Sequence, residues 1–124
     1  MLLELGKYLK SKGYKNICAD YMPDVNEQLE VIYIGKWGDT PGKVADAVHY
    51  IQIQVRRKTY EAAFSVCNEL YKLLDSNRED DIETVIQLTG DVFCIAIPRR
   101  GPVIMERGSN YATFYSELAL YGPN

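Results

Sequence analysis

The stretch GKWGDTPGKV, residues 35–44, carries three glycines and two lysines, a composition that suits phosphate binding. A phosphate loop of the nucleotide-hydrolase type reads glycine, four residues, then glycine-lysine-serine or threonine, because backbone N–H groups wrap the phosphates while a hydroxyl holds magnesium. Here only three residues separate Gly38 from Gly42, and Lys43 is followed by Val44, which has no oxygen for a metal. The stretch therefore does not predict a phosphate site, and its composition indicates a loop between two strands.

The other side chains that could do chemistry are few and scattered. The single histidine, His49, begins a strand-like run, and the neighbouring sequence offers no obvious catalytic group to work with it, which favours a structural role. The three cysteines, Cys18, Cys67 and Cys94, lack the short pairings of a zinc site or a disulfide framework. Cys67 and Cys94 fall in apolar patterns that predict buried, unreactive thiols. The acidic residues at 79–83 do not match a calcium loop and indicate a solvated charge run. We expect no catalytic residue, cofactor or metal site, and no enzymatic activity.

Length and composition fit one globular domain covering residues 1–124. The hydrophobic content of 47% and charged content of 25% are those of an ordinary globular protein. The formal net charge of −3 disfavours general nucleic-acid binding. No apolar run approaches the roughly 18–20 residues that span a bilayer, and the N-terminus lacks a basic leader with a cleavage site. We therefore expect a cytosolic protein.

Two amphipathic helices are predicted. Leu2, Leu5 and Leu9 lie three and four residues apart and predict a short N-terminal helix. A long main helix is predicted at about 59–75, with Thr59 as its N-cap. Its apolar stripe, which we expect to be buried against a sheet, consists of Tyr60, Ala63, Phe64, Cys67, Leu70, Tyr71 and Leu74.

The remaining β-branched and aromatic runs predict strands. They are a brief strand near 17–19, then 29–34, 49–57, 82–88, 92–98, 103–107 and 111–122. The segment 35–48 between two of them is predicted to be a loop, and RRGP at 99–102 a hairpin turn. The fold class is therefore α+β, with a mainly antiparallel or mixed sheet and the main helix on one face. Whether strand 49–57 pairs in parallel with a strand after the helix stays open.

Strand 49–57 also provides a candidate surface. Apolar residues alternate with Tyr50, Gln52, Gln54 and Arg56, so one side of the strand is polar and either solvated or in contact with another subunit. The basic pairs at 56–57 and 99–100 leave three readings open: solvent, a neighbouring subunit or a nucleic-acid backbone. Trp37 in the glycine-rich segment is either an interface anchor or a cover over the core.

These patterns together resemble the minor capsid and tail-terminator family of long-tailed bacteriophages and prophages. The likeness rests on GDTP at 38–41, IQIQVR at 51–56 and YEAA at 60–63, and it extends over nearly the whole chain. The segment RRGPVIMERGSNYATFYSEL, 99–118, fits the family's closing hairpin and strand only loosely.

The resemblance implies a structural protein that forms a ring, commonly six-fold, on the end of the tail tube, after assembly in the cytoplasm of the host. Its expected partners are copies of itself, the tail tube protein and the head connector or head-completion protein, without a membrane, cofactor or specific nucleic acid. A closed ring needs two different adhesive surfaces on each subunit. The candidate interface residues are Trp37, Asp39, Tyr50, Gln52, Gln54, Arg56, Arg99 and Arg100.

Three alternatives remain at this point. The protein could be another neck component, such as a head-closure or tube protein. It could be a small nucleic-acid-binding regulatory module that uses Arg56, Arg57, Lys58, Arg99 and Arg100. The third alternative, a small enzyme with a cleft between sheet and helix, is disfavoured by the scarcity of histidine and of paired acids.

Overall fold

A computed structural model describes residues 2–19, 21–40, 46–76, 85–90 and 92–123. Within these ranges the chain forms two helices and six strands, which confirms the predicted α+β class. In chain order they are α1 (Leu2–Ser11), β1 (Ile17–Cys18), β2 (Val31–Thr40), β3 (Asp46–Arg57), α2 (Tyr60–Leu73), β4 (Ile86–Thr89), β5 (Val92–Arg107) and β6 (Ala112–Pro123).

The six strands form one mixed, curled sheet in the order β1-β2-β3-β6-β5-β4. β1 pairs with β2 in parallel, and every other pair is antiparallel. The strand after the main helix, β4, does not pair with β3 and lies at the far edge of the sheet. The last strand, β6, lies between β3 and β5 in the sheet. It therefore joins a strand that precedes α2 to one that follows it, by long-range pairing.

Both helices pack on the same face of the sheet, which we call the helix-bearing face. α2 contacts β3, β5 and β6, whereas α1 contacts β4 on one side and β1 and β2 on the other. α1 therefore bridges the two ends of the curled sheet. Leu5 and Leu9 of α1 join Leu70 of α2 and Ile53 of β3 in one buried cluster. Burial of each such side chain contributes about 1.5–3 kcal/mol, which holds the short α1 in place.

The predicted loop at 35–48 is shorter than expected. β2 continues to Thr40 and β3 begins at Asp46, so both ends of the segment are strand, and residues 41–45 lie outside the described residues. The prediction of a loop over 35–40 and 46–48 was wrong because pairing between β2 and β3 outweighs the turn preference of the glycines. A register shift between Lys36 and Gly38 accommodates this composition as an irregularity within the strand.

The predicted hairpin turn at 99–102 is also wrong. β5 runs without interruption through RRGP and pairs with β6 on both sides of it, with register shifts at Pro98/Arg100 and Arg100/Val103. Proline and glycine are tolerated in a strand at such bulges, which explains why turn-like residues do not turn the chain here. The hairpin lies further on, between β5 and β6, where the Gly108 N–H donates to the carbonyl of Tyr111 at 2.9 Å.

The predicted strand at 82–88 is only partly described. β4 begins at Ile86, and residues 82–84 lie outside the described residues.

The N-terminus of α2 is as predicted, but its length is not. The Thr59 hydroxyl accepts a hydrogen bond from the Ala62 N–H at 3.1 Å, which confirms the N-cap. The helix has 14 residues and is of ordinary length, so the expectation of a long helix was wrong.

The buried stripe of α2 is shorter than predicted. Ala63, Cys67 and Leu70 are fully buried, whereas Tyr60 is 38% and Phe64 is 42% exposed. The expected burial of these two rings was wrong because both lie on the flank of the helix, beside the stripe formed by Ala63, Cys67 and Leu70, and they contact the edge of the Phe114 ring. Their ring centroids lie 4.9 and 5.5 Å from that of Phe114, in edge-to-face geometry.

Candidate interaction surface

The sheet has a second, polar face that begins with the alternation in β3. Ile51, Ile53 and Val55 are fully buried on the helix-bearing face. The residues between them point to the other side of the sheet, as the period of two in a strand requires. Gln52 and Gln54 there are only half-buried.

The backbone register extends this polar side across four strands, and we call the result the open face. It consists of three rows, each taken from β2, β3, β6 and β5 in that order. The rows are Tyr33, Gln54, Tyr115 and Val103; Gly35, Gln52, Glu117 and Arg100; and Gly38, Tyr50, Ala119 and Ile97.

Contacts between neighbouring side chains fix much of the open face. The Gln54 Nε2 donates to the Gln52 Oε1 at 2.8 Å along β3. The Arg100 Nη1 donates to the Tyr115 hydroxyl at 3.2 Å, and the Arg100 Nε lies 3.8 Å from the Glu117 Oε1. Because these side chains are held by one another on strands, few rotamers would be lost when a partner covers them.

Two aromatic contacts complete the surface. The Arg99 guanidinium lies 5.1 Å from the centre of the Tyr50 ring, a cation–π arrangement. A Cβ atom added at Gly35 would come within 2.7 Å of the Tyr33 hydroxyl, so the Tyr33 ring lies across this glycine. Glycine at position 35 therefore leaves space for the tyrosine side chain against the sheet.

Arg56 does not belong to the open face, although the alternation places it on that side of β3. It is 4% exposed, and its neighbours Val31 and Thr113 in the adjacent strands are buried as well. Its guanidinium donates to three carbonyls of the segment before β2: Leu29 at 3.0 Å, Pro23 at 2.6 Å and Gln28. The interface role predicted for Arg56 is therefore replaced by a structural one.

The structure brings five of the predicted interface residues together on one surface: Tyr50, Gln52, Gln54, Arg99 and Arg100. Asp39 pairs with His49 along the backbone, and Trp37 lies at the register shift in β2. Sequence reasoning missed Tyr115 and Glu117 as interface candidates, although the alternation of strand 111–122 already placed them opposite its apolar residues.

The reactive side chains lie away from this surface. Burial raises the pKa of the Cys67 and Cys94 thiols to about 11, so both stay protonated at neutral pH, as the apolar patterns predicted. His49 is 5% exposed and lies in the strand position two before Ile51, on the helix-bearing face. In the part of the chain that the structure describes, no three histidine, cysteine or acidic side chains are grouped as metal ligands.

Comparisons with known protein families, with characterised proteins and with solved structures give no match for this chain. None of the described helices has the length and apolar character needed to cross a bilayer. The geometry of the open face and the sequence patterns are thus the basis for a functional proposal.

Proposed function

We propose that this chain is a structural assembly subunit of a long-tailed bacteriophage or prophage. In this role it is a tail terminator or minor capsid protein whose copies form a ring that caps the tail tube and joins it to the head connector. The observation that carries the proposal is the open face, a tyrosine- and glutamine-rich sheet surface that both helices leave uncovered among the described residues. The phage setting comes from the sequence resemblance.

The composition of the open face suits protein binding. Tyrosine and arginine are enriched where proteins meet, because they combine large contact area with polar tips and few free rotations. Tyr33, Tyr50 and Tyr115 come from three different strands and lie within three adjacent rows. Their positions are fixed by the sheet, so a partner meets a preformed surface.

A head-to-tail ring also needs a second, different surface, and the helix-bearing side offers one. The half-exposed rings of Tyr60 and Phe64 contact Phe114, and Ile104, which is 43% exposed, pairs with Phe114 in the neighbouring strand. The Arg107 guanidinium lies 4.9 Å from the centre of the Tyr60 ring. This apolar patch and the polar open face are unlike each other, as heterologous contacts require.

The structure weakens the nucleic-acid alternative. Two of its five cations are used within the fold: Arg56 is buried, and the Arg57 Nε lies 3.8 Å from the Glu30 Oε2 on a side chain that is mostly covered. The remaining exposed cations are Lys58, Arg99 and Arg100, and Arg100 already lies beside Glu117. A continuous basic track for a phosphate backbone is therefore not formed by these residues.

The proposal is tested by removing the gene from the phage or prophage that carries it and examining particles by electron microscopy. We expect overlong or headless tails, restored by the wild-type chain. The charge-reversed variant Arg99→Glu/Arg100→Glu should fail to restore them, whereas Lys58→Glu/Lys72→Glu, which reverses two exposed charges off the open face, should succeed.

Normal tails joined to full heads in the absence of the protein would refute the phage role. The deletion could have the expected effect while wild-type particles carry the protein along the tube or inside the head connector. In that case the chain is another neck component instead of the terminator.

A further inference from the structure

A groove of about 210 Å³ lies between α1 and the start of the sheet, on the opposite side from the open face. Leu2, Ile17 and Ile34 supply apolar walls, and Lys7 and Lys10 line it from successive turns of α1. Both lysine side chains are exposed. The groove thus joins an apolar interior, continuous with the core at Ile34, to a cationic rim that lies apart from the proposed ring contacts.

The groove opens beside an incomplete edge of the sheet. β1 is only two residues long and pairs with Ile32 and Tyr33, whereas β2 continues to Thr40. From Ile34 onwards, no other strand among the described residues pairs with this edge of β2. An extended peptide can therefore pair with β2 along this edge, beyond the end of β1.

The charge around the groove is opposite to that of the whole molecule. Residues 2–19 contain four lysines and one glutamate, whereas the complete chain has a formal net charge of −3. The four lysines are all exposed, and they are Lys7, Lys10, Lys12 and Lys15. This local field selects an anionic partner.

Gly6 explains why the groove exists. A Cβ atom at this position would make an ordinary contact of 3.7 Å with the Ile34 Cδ1, so a side chain here would extend into the groove without a backbone clash. Glycine within a helix is less stable than alanine. The chain thus tolerates a weaker α1 at a position where a side chain would occupy part of the apolar space.

We propose that the groove and the adjoining edge of β2 bind an extended acidic segment of another protein. An apolar side chain of that segment occupies the groove, its backbone adds to β2 as a strand, and its carboxylates meet Lys7 and Lys10. This binding site is separate from the open face and does not depend on the proposed ring.

A membrane surface is the other class of anionic partner that a basic amphipathic helix can meet. Leu5 and Leu9 are fully buried in the core, which leaves Leu2, Leu3 and the half-buried Tyr8 as the apolar side chains near the surface of α1 among the described residues. The apolar area that α1 exposes is small, and the groove is concave, so a side chain fits it better than a flat bilayer interface.

The test is fluorescence anisotropy with a labelled peptide, Glu-Leu-Asp-Leu-Asp-Leu-Glu, titrated with the intact protein at low and high salt. We expect saturable binding that weakens with salt, and at least about tenfold weaker binding by Lys7→Glu/Lys10→Glu. The matched reversal Lys12→Glu/Lys15→Glu should cost less than about threefold, because those lysines do not line the groove.

A second variant separates binding from folding. Gly6→Leu should block the groove and weaken peptide binding by about tenfold or more, while its unfolding midpoint stays at or above that of the wild type. A peptide with serine in place of each leucine should not bind.

Four results would overturn the proposal. They are no saturable peptide binding, equal losses from the two lysine pairs, full binding by Gly6→Leu, and binding to vesicles of anionic phospholipid that the acidic peptide does not compete away.

Discussion

The two faces of β3 differ in burial, although they belong to the same strand. On one side Ile51, Ile53 and Val55 are sealed beneath the helices, and on the other Gln52 and Gln54 stay half-exposed in a ladder of polar side chains. The helix-bearing face is constrained by volume, because each buried side chain must fill its space. The side chains of the open face are held only by contacts with one another. Their residue types can therefore be set by the requirements of a partner.

The difference between the two faces is tested most strongly by truncating one side chain on each face and comparing the losses of stability. Ile53→Ala leaves a cavity in the core and should lower the free energy of unfolding by about 2–5 kcal/mol. Gln52→Ala, one residue away, provides the control in urea denaturation followed by circular dichroism. Similar losses in the two variants would contradict the distinction between the faces.

Arg56 points to the same side of β3 as the open face but is buried, and its substitution should have the next largest effect. Removal of its guanidinium in Arg56→Ala leaves the carbonyls of Leu29, Pro23 and Gln28 without their donor. We expect a loss of roughly 2–3 kcal/mol in the free energy of unfolding. Arg56→Lys, which keeps the charge but not the forked donor, should recover only part of it. If Arg56→Ala unfolds at the same urea concentration as the wild type, Arg56 contributes no more to stability than an exposed surface cation does.

The buried thiols of the helix-bearing face predict a pH dependence. The pKa of Cys67 is about 11 in the folded state against 9.0 for an ordinary thiol. As the pH rises above 9, the thiol of the unfolded chain ionises first, so folding stability is intact below about pH 9 and falls towards pH 11. In Cys67→Ala this decline should be smaller by roughly 1–2 kcal/mol.

The measurement is urea denaturation of both proteins at pH 8 and pH 10.5. The free energy of unfolding at one pH is subtracted from that at the other for each protein, so the cost of the cavity left by the alanine cancels. Identical pH dependence in the two proteins would mean that the Cys67 environment does not disfavour the thiolate.

The smallest effect on stability is expected on the open face itself. Gln52→Ala and Gln54→Ala each remove one side of a partly solvated hydrogen bond and should change the free energy of unfolding by less than about 0.5 kcal/mol. Their combined effect on assembly should nevertheless be visible as weaker association with partner proteins. A large loss of stability from either change would show that this face is structural.

The sequence predicted correctly those features that depend on residues close together in the chain. The spacing of Leu2, Leu5 and Leu9 gave α1, Thr59 gave the start of α2, and the alternation around Ile53 separated the two faces. These signals depend on residues a few positions apart, and neighbouring elements did not override them.

Prediction failed where long-range contacts decide the outcome. β5 passes through RRGP because β6 pairs with it on both sides of the bulges, and no local pattern reports that partner. Arg56 looks like any exposed cation of an alternating strand, because its carbonyl acceptors lie 27, 28 and 33 residues away in the chain. Phe64 fits a buried helical stripe, yet it lies on the flank of the buried residues Ala63 and Cys67, and its ring is half-exposed.

The most direct test of the assembly role is co-sedimentation of the purified protein with isolated tail tubes. We predict that the wild-type chain and Lys58→Glu/Lys72→Glu are recovered with the tubes as a ring at one end, and that Arg99→Glu/Arg100→Glu remains in solution although it is folded. Failure of the wild-type chain to bind the tubes, or equal recovery of both charge-reversed proteins, would contradict the proposal that the open face is an assembly surface.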